Sequence, residues 1–560
     1  MIIIFTSFLI DKSDYLKKKA TEVKASVNVT VTAKPFIQVS KIVSLFMNSS
    51  KPKTLVMRKI FTLIVLLFAT GQLVTAQNVT STIVSWKDMV AYEAANPDAI
   101  KYCKTCPKTE ADKGWLGINA ANMPIPPGAN IKRQGNDKGP AVDRPGPINP
   151  PMIPSRPPLQ DFLGHLDPGN TIPPDTHGAV GLNHVITATN DFIKIHNKIG
   201  GAQVSQVSIS TFTAVPSTCD PYMLFDPTSQ RWMFSAIGCA GVNNPMILMV
   251  SNTADPTGTW RKITWVPAGP SMLLDHPYLG FDNQTITLSG RRFQSGTTFV
   301  GSSLFLVDKA AMLAGTAITF GTNAQQIDKT TVDGDSPCPV TLYEPPFSTV
   351  GNPSPGTSYV LQSWSGAASS IRLTTVTGTI PTATWNTTTA VFPSGGTPWN
   401  SGALNNAVEQ MVETRRLAAN DARISSAVMM NGKIWCSHHI GFPTSGLPDR
   451  IAAQWWQLDG AAGAGFGNVL QRGRVGGTVA GEYKWFTGIA VNKDEDVILG
   501  YSASTTTSRV GAAYTTRQAT TPANTMDDEL IYHGGQDRYW KDFGSGRARR
   551  GDYTHSSLDP

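Results

Sequence analysis

Aspartates recur at the heads of short apolar segments, at Asp175, Asp220, Asp275, Asp335, Asp421 and Asp552. Carboxylates do two kinds of chemistry when a fold gathers them. Several together supply the hard oxygen ligands that Ca²⁺ takes. Two alone, flanking a glycosidic bond, supply an acid and a base or nucleophile. Asp220 and Asp275 are the candidates for such chemistry. A plainer role competes: Asp before Pro, or in a tight turn, accepts backbone N–H bonds and fixes the entry of a strand. Recurrence in nearly every segment favours that role, because catalysis needs only two special copies. No catalytic residue and no metal ligand is therefore assigned. The chain requires no cofactor, and Ca²⁺ is the metal that the carboxylates would suit.

The histidines carry less. His438 and His439 are adjacent on an expected strand and point to opposite faces, so they do not chelate one ion together. His177 and His276 sit in equivalent repeat positions, where ordinary hydrogen-bonded roles are expected. No phosphate loop, HExxH or GxSxG appears, and Gly476 to Gly481 lacks the Lys-Ser/Thr that a phosphate loop needs.

The elements that position these residues show as a repeat. Asp220-Pro221-Tyr222-Met223-Leu224-Phe225-Asp226 leads through a turn into Arg231-Trp232-Met233-Phe234-Ser235. Asp275-His276-Pro277-Tyr278-Leu279-Gly280-Phe281-Asp282 leads into Thr285-Ile286-Thr287-Leu288-Ser289, and looser copies span Ala427 to Cys436 and Ile489 to Tyr501. Each reads as strand, polar turn, strand. Self-similarity on this scale predicts an all-β chain folded as a β-propeller of about six to eight four-stranded blades. Inner-strand candidates begin near Gly178, Pro221, Pro277, Pro339, Ile424, Phe486 and Tyr553, which makes seven the best count. Gly551 to Pro560 has the form of an inner strand reaching its turn, so a truncated last blade is expected. With 50 Gly, 39 Pro and 16% charged residues, the composition suits short strands and tight turns. A β-sandwich is the rival architecture. In a propeller the inner strands begin at one mouth of the central channel, and the recurring aspartates would meet there.

The flanks divide the chain further. Met57-Arg58-Lys59, the apolar run Ile60 to Phe68 and the small-residue site Val74-Thr75-Ala76 read as a secretory signal peptide over 57–76. Residues 1–56 then read as an over-extended gene start, with a signal-anchor and cytoplasmic tail as the rival. Residues 77–123 form an N-terminal segment with weak helical periodicity at Trp86, Met89, Val90 and Tyr92. Residues 124–174 form a Pro-rich linker or strap, and 175–560 the propeller. The apolar run is shorter than the about 20 residues of a membrane span, so none is expected in the mature chain. Residues 1–76 carry a net charge of +8 against +7 for the whole chain, leaving about −1 beyond them. That excludes a nucleic-acid role argued from charge. Export permits disulfides: Cys219 with Cys239 across a hairpin, and Cys103 with Cys106 locally. Cys338 and Cys436 pair only if their blades meet.

Ser251 to Trp260 resembles, with altered spacing, the Asp-box turn of sialidase-type propellers. The sialidase arginine set is not assembled by Arg291, Arg292, Arg372, Arg416 and Arg423. The Asp-Pro opening at Asp220 looks like that of arabinanase-type glycosidases, a resemblance that implies an Asp base and a pKa-tuning Asp at Asp220 and Asp275, with Glu344, Glu413 or Glu482 as the acid. A wider set of phrases is similar to a group of secreted, largely uncharacterised bacterial β-propeller proteins common in Bacteroidetes. They are Pro173 to His184, Phe225 to Trp232, Ala254 to Trp260, Lys541 to Arg547 and Arg550-Gly551-Asp552-Tyr553, where the group usually has Trp in place of Arg550. The resemblance covers roughly 171–560 and implies fold and export, with no activity attached. The expected protein is a monomeric exported propeller, secreted, periplasmic or at the cell surface. It would act as a binding or interaction module for a carbohydrate or protein ligand, with a propeller glycoside hydrolase as the alternative. Trp364, Trp399, Trp455, Trp456 and Trp540 would stack on sugar rings or peptide side chains if exposed, or pack between blades if not.

Overall fold

The computed structural model describes residues 77–97, 154–165, 171–386, 389–391, 397–402, 404–535, 537–541 and 548–560. The expected leader, Cys103, Cys106 and most of the Pro-rich stretch lie outside the described residues.

Each repeat seen in the sequence folds as an antiparallel meander. The first sheet runs His177–Val180, His184–Ala188, Phe192–Asn197 and Gln203–Ser208. The second runs Thr218–Asp226, Arg231–Gly238, Met246–Ser251 and Thr259–Trp265. The third runs Met272–Phe281, Thr285–Gln294, Thr298–Asp308 and Ala324–Thr330. In the fourth, Cys338–Pro339, Thr357–Ser365 and Ser370–Thr377 lie in order, and Thr384–Trp385 and Thr389–Val391 both pair with Ser370–Thr377. The fifth runs Ile424–Met430, Lys433–Phe442, Arg450–Asp459 and Val469–Val475, and the sixth Glu482–Val491, Val497–Thr505, Ser508–Arg517 and Leu530–His533.

The first strands of successive sheets pack on one another. Residues 554–557 stand between the sixth sheet and the first. Thr554 Oγ1 donates to Phe486 O at 2.5 Å and Ser556 Oγ to Gly488 O at 2.9 Å, while Val180 N donates to Ser557 Oγ at 3.3 Å. The ring closes there, and the fold is an all-β propeller. First strands are covered by a sheet on each side, so Thr218–Asp226 and Met272–Phe281 are buried at every residue rather than at alternate ones.

Several first strands are entered through a residue in left-handed backbone: Asp175 (φ 46°), Asp220 (57°), His276 (51°), Ser336 (48°) and Phe486 (52°). A non-glycine residue there is held at a cost of order 1–3 kcal/mol by what surrounds it. The pairing register slips at the same place, between Cys219 and Tyr222, Asp275 and Tyr278, and Trp485 and Gly488. The kink turns the preceding backbone toward the channel mouth. It also places His276, with Pro277 and Tyr278 after it, where Asp220, Pro221 and Tyr222 stand in the second sheet. Asp275 therefore lies one residue before the place that Asp220 fills.

Two additions brace the ring. Thr80–Ser85 adds an antiparallel strand to the outer edge of the second sheet, and helix α1 (Trp86–Ala95) follows, with Ser85 Oγ accepting Asp88 N–H as its cap. Trp86 of α1 packs edge-on against Phe212 and donates Nε1–H to Ser205 Oγ at 3.0 Å. Residues 154–165 then link the outer part of the sixth sheet to the first. Thr516 N donates to Ser155 Oγ (3.0 Å), and Gly200 N to Gln160 Oε1 (3.0 Å). Cys219 and Cys239 are disulfide-bonded, whereas Cys338 and Cys436 are free and buried. No helix of the described residues is long and apolar enough to cross a membrane.

Candidate functional site

Four of the six recurring aspartates, the buried Asp175, Asp220 and Asp275 and the half-buried Asp552, form one electrostatic group at the channel mouth. Their oxygens are used between blades. Asp175 Oδ1 accepts Asp552 N–H at 2.8 Å and Oδ2 accepts Asn190 Nδ2–H at 2.9 Å. Asn190 Oδ1 accepts Asp220 N–H at 2.8 Å, and Asp220 Oδ2 accepts His276 N–H at 3.2 Å. The bonds run from one blade to the next. Only Asp421, which accepts Arg423 N–H at 3.1 Å, serves its own turn in the way the sequence suggests.

Arginines neutralise the remainder. Arg291 bonds Asp335 through Nε and Nη2 at 2.9 and 3.0 Å, and its Nη1 stands 3.4 Å from Asp275 Oδ2. Arg423 holds Asp421 through two bonds of 2.7 and 2.6 Å, and Arg549 pairs with Asp552. Asp335 and Asp421 form the wetter rim, with side chains 36% and 30% exposed. Sequence reasoning considered Arg291 and Arg423 only for a sialidase set, and missed their pairing with the aspartates as well as Arg549 and Asn190. Arg423 and Arg549 stand two and three residues from their aspartates and were open to inference. Arg291 meets Asp275 only through cross-strand register, which no local pattern reveals.

Burial sets the protonation. It raises Asp175 to about 8, helped by the charge of Asp552 and opposed by Arg549. It holds Asp220 well above the usual carboxylate range, with Asp175 and Asp275 adding to the effect, and raises Asp275 against the pull of Arg291. For Asp552 burial also works upward, but the charge and hydrogen bond of Arg549 outweigh it and bring the group to about 2. Asp421 is likewise held low by Arg423 against burial. At neutral pH the deep members Asp175 and Asp220 are uncharged acids, and Asp552 and Asp421 are paired anions. A low-dielectric site tolerates this many carboxyls in that state.

Below the carboxyls, aromatic rings fill the channel. His177 lies 3.8 Å from Tyr222 and stacks on His555 at 4.0 Å, and His276 lies 5.0 Å from Tyr278 and 5.6 Å from Tyr553. Tyr278 OH donates to Ile424 O at 2.8 Å and Tyr553 OH to Pro221 O at 3.0 Å. Burial keeps the imidazoles of His177 and His276 neutral. His438 and His439 diverge as adjacent strand residues do, toward Trp456 and Phe486. Among the described residues, no group of three or more His, Cys, Asp or Glu is placed to hold a metal ion.

The glutamates proposed as acids are scattered. Glu344 follows the inner strand of the fourth sheet at its far end and accepts Asn352 N–H (3.1 Å), and Glu413 faces Arg415 and Arg538. Glu482 opens the first strand of the sixth sheet. Of the arginines considered for a sialidase set, Arg292 faces Asp328 and Arg416 pairs with Glu409, while Arg291 and Arg423 hold the aspartates already named.

The tryptophans divide between the two roles open to them. Trp399, Trp455, Trp456 and Trp540 are buried at 7% exposure or less, whereas Trp364 is 43% exposed. Trp455 and Trp456 point to opposite faces of their strand, and neighbouring elements cover both faces. Trp455 stacks on Trp435 at 5.9 Å, and Trp456 donates Nε1–H to His438 Nε2 at 3.0 Å.

No family model and no curated protein sequence matches the chain. Among solved structures it is similar to a hypothetical selenium-binding protein from Sulfolobus tokodaii, at 10% identity over 69% of this chain and 86% of that one, with a TM-score of 0.38. It is similar to an endo-arabinase from Bacteroides thetaiotaomicron at 10% identity over 56% and 95%, TM-score 0.27. A Trypanosoma rangeli sialidase in complex with sialic acid matches at 11% over 64% and 56%, TM-score 0.32. These likenesses assign neither an activity nor a ligand to this chain.

Proposed function

We propose that the chain is an exported propeller that works as a binding or interaction module at or outside the cell surface, with a carbohydrate or protein ligand. One observation carries the reading. The carboxyls that a hydrolase would need at the mouth are bonded to the backbone of neighbouring blades or clamped by Arg291, Arg423 and Arg549. A group that accepts a buried backbone N–H cannot turn to a substrate without leaving that donor unpaired, at about 1–3 kcal/mol. The disulfide between Cys219 and Cys239 supports an oxidising compartment, reached through the signal peptide read over 57–76.

A propeller glycoside hydrolase is the second reading. Carboxyls whose pKa burial raises, as at Asp220 and Asp275, are what a general acid requires, and that favours it. A glycan-array screen of residues 77–560, with and without EDTA and with bound sugars assayed for cleavage, separates the two. Binding without cleavage supports the module, and sensitivity to EDTA would bring Ca²⁺ to the carboxylate ring. Cleavage would overturn the module in favour of the hydrolase, with Asp220 and Asp275 as the first variants.

A further inference from the structure

The mouth face carries a feature that the carboxylate ring does not use. Ser363 pairs with Ile371 and Ser365 with Ser370, so Trp364 is the extra residue of a β-bulge at the end of Thr357–Ser365. Such a bulge takes a side chain out of the alternation of its strand and re-aims it. The indole is 43% exposed on a chain that buries Trp399, Trp455, Trp456 and Trp540. Its position is fixed by the Arg372 guanidinium, centred 4.2 Å from the ring, and Arg372 Nη1 reaches Val332 O at 3.5 Å. A large apolar ring held still at a solvent face is preorganised for stacking, because little side-chain freedom remains to be lost on binding.

Apart from the Arg372 guanidinium over the indole, the charges around it are already matched. Lys329 faces Asp333 at 3.3 Å, Arg292 faces Asp328 at 3.4 Å, and Arg291 is shared between Asp335 and Asp275. A cationic ligand would have to break one of these pairs to be neutralised, and an anionic one would have to break a pair or draw Arg372 away from the indole and Val332 O. An uncharged pyranose would not: its C–H face can cover the indole while its hydroxyls bond the rim groups as they stand.

We infer that Trp364 is the stacking platform of a subsite for uncharged saccharide rings, steadied by Arg372 and bordered by the Lys329–Asp333 and Arg291–Asp335 pairs. The inference rests on the binding-module reading and gives it a ligand class.

The test uses the exported chain, uncharged cello-, xylo-, manno- and chito-oligosaccharides, and acidic galacturonan and sialylated oligosaccharides as the contrast. Wild type binds at least one uncharged series. Trp364→Ala weakens that binding by about tenfold or more, as removal of a central aromatic anchor does, and leaves the melting temperature in place. Trp364→Phe keeps part of the affinity, and Arg372→Ala lowers it by loosening the ring. N-bromosuccinimide oxidation, read peptide by peptide, modifies Trp364 in the free protein and spares it when the sugar is bound. Binding of uncharged sugars that Trp364→Ala leaves unchanged would overturn the inference and keep the module. Preference for acidic sugars would overturn it too, as would binding of a protein ligand with no sugar bound at all. Cleavage of the sugars would remove the module reading itself.

Discussion

Asp175 Oδ1 accepts the backbone N–H of Asp552 at 2.8 Å, joining two residues 377 positions apart in the chain. The same carboxyl reaches Asn190, and Asn190 reaches the N–H of Asp220. One buried acid therefore ties the C-terminal segment to the first sheet and, through Asn190, to the second. Its protonation state bears on the closure of the whole ring.

Stability should accordingly fall as the medium becomes alkaline. The folded protein holds Asp175 near 8, above the ordinary 3.8, so this group's contribution is complete below about 3.8 and is lost as the pH rises toward 8. Asp552 has the opposite sign: held near 2, it contributes fully above 3.8 and loses that contribution as the pH falls through 2. Thermal melts between pH 5 and 9 should show a falling midpoint. Asp175→Asn should make the fall shallower, since the amide cannot ionise, while Asp220 and Asp275 retain their share. An unchanged slope in that variant would exclude Asp175 as its source.

Asp220 separates scaffold from catalysis. As a buried neutral acid accepting His276 N–H, it is nearly matched by Asn, so Asp220→Asn should cost less than about 1 kcal/mol in urea unfolding. Asp220→Ala strands the N–H and should cost about 1–3 kcal/mol. Neither should alter ligand affinity at Trp364. Loss of a measured hydrolysis in Asp220→Asn, with stability intact, would restore the glycosidase.

The parts of the fold that sequence made legible are those where a local rule acts on adjacent residues. Pro221 and Pro277, each preceded by a left-handed residue and followed by Tyr, mark the inner strands directly. The turns built on Asp226 and Asp282 are visible because each carboxylate bonds N–H groups two and three residues ahead. Thr80–Ser85 was not legible: it adds to a sheet edge, four of its six residues are exposed, and no apolar alternation announces it. At the site, the aspartates were visible as a set, but their partners come from other blades. Sequence leaves Trp455 and Trp456 open between stacking and packing, because it does not say that both faces of that strand are covered.

The disulfide can be weighed from its loop. Cys219 and Cys239 are both buried and are separated by 20 residues. Closing a loop of that size removes chain entropy from the unfolded state equivalent to about 3 kcal/mol. Replacing both cysteines by Ala should lower unfolding stability by that order, and the wild type in strong reductant should approach the same value. No difference between the double variant and wild type would mean that the bridge does not form in the protein.

Lys309 gives the sharpest test of how neighbouring blades are held together. Its Nζ lies 2.9 Å from Asp226 Oδ2 in the second sheet and donates to Asp282 O in the third at 2.7 Å, beside the Phe281 ring at 4.9 Å. Both side chains are nearly dry, at 7% and 2% exposure. Asp226 meanwhile accepts the N–H groups of Thr228 and Ser229, so it cannot swing out to water without opening its turn. Lys309→Met leaves that carboxylate buried and uncompensated and should cost about 3–5 kcal/mol. Adding Asp226→Asn removes the orphaned charge, keeps one acceptor for the turn, and should recover part of the loss. A double-mutant cycle by chemical denaturation measures the coupling directly. If the two substitutions simply add, the pair does not join the second and third sheets, and the interface rests on the apolar packing of the inner strands and on bonds such as that from His276 N–H to Asp220.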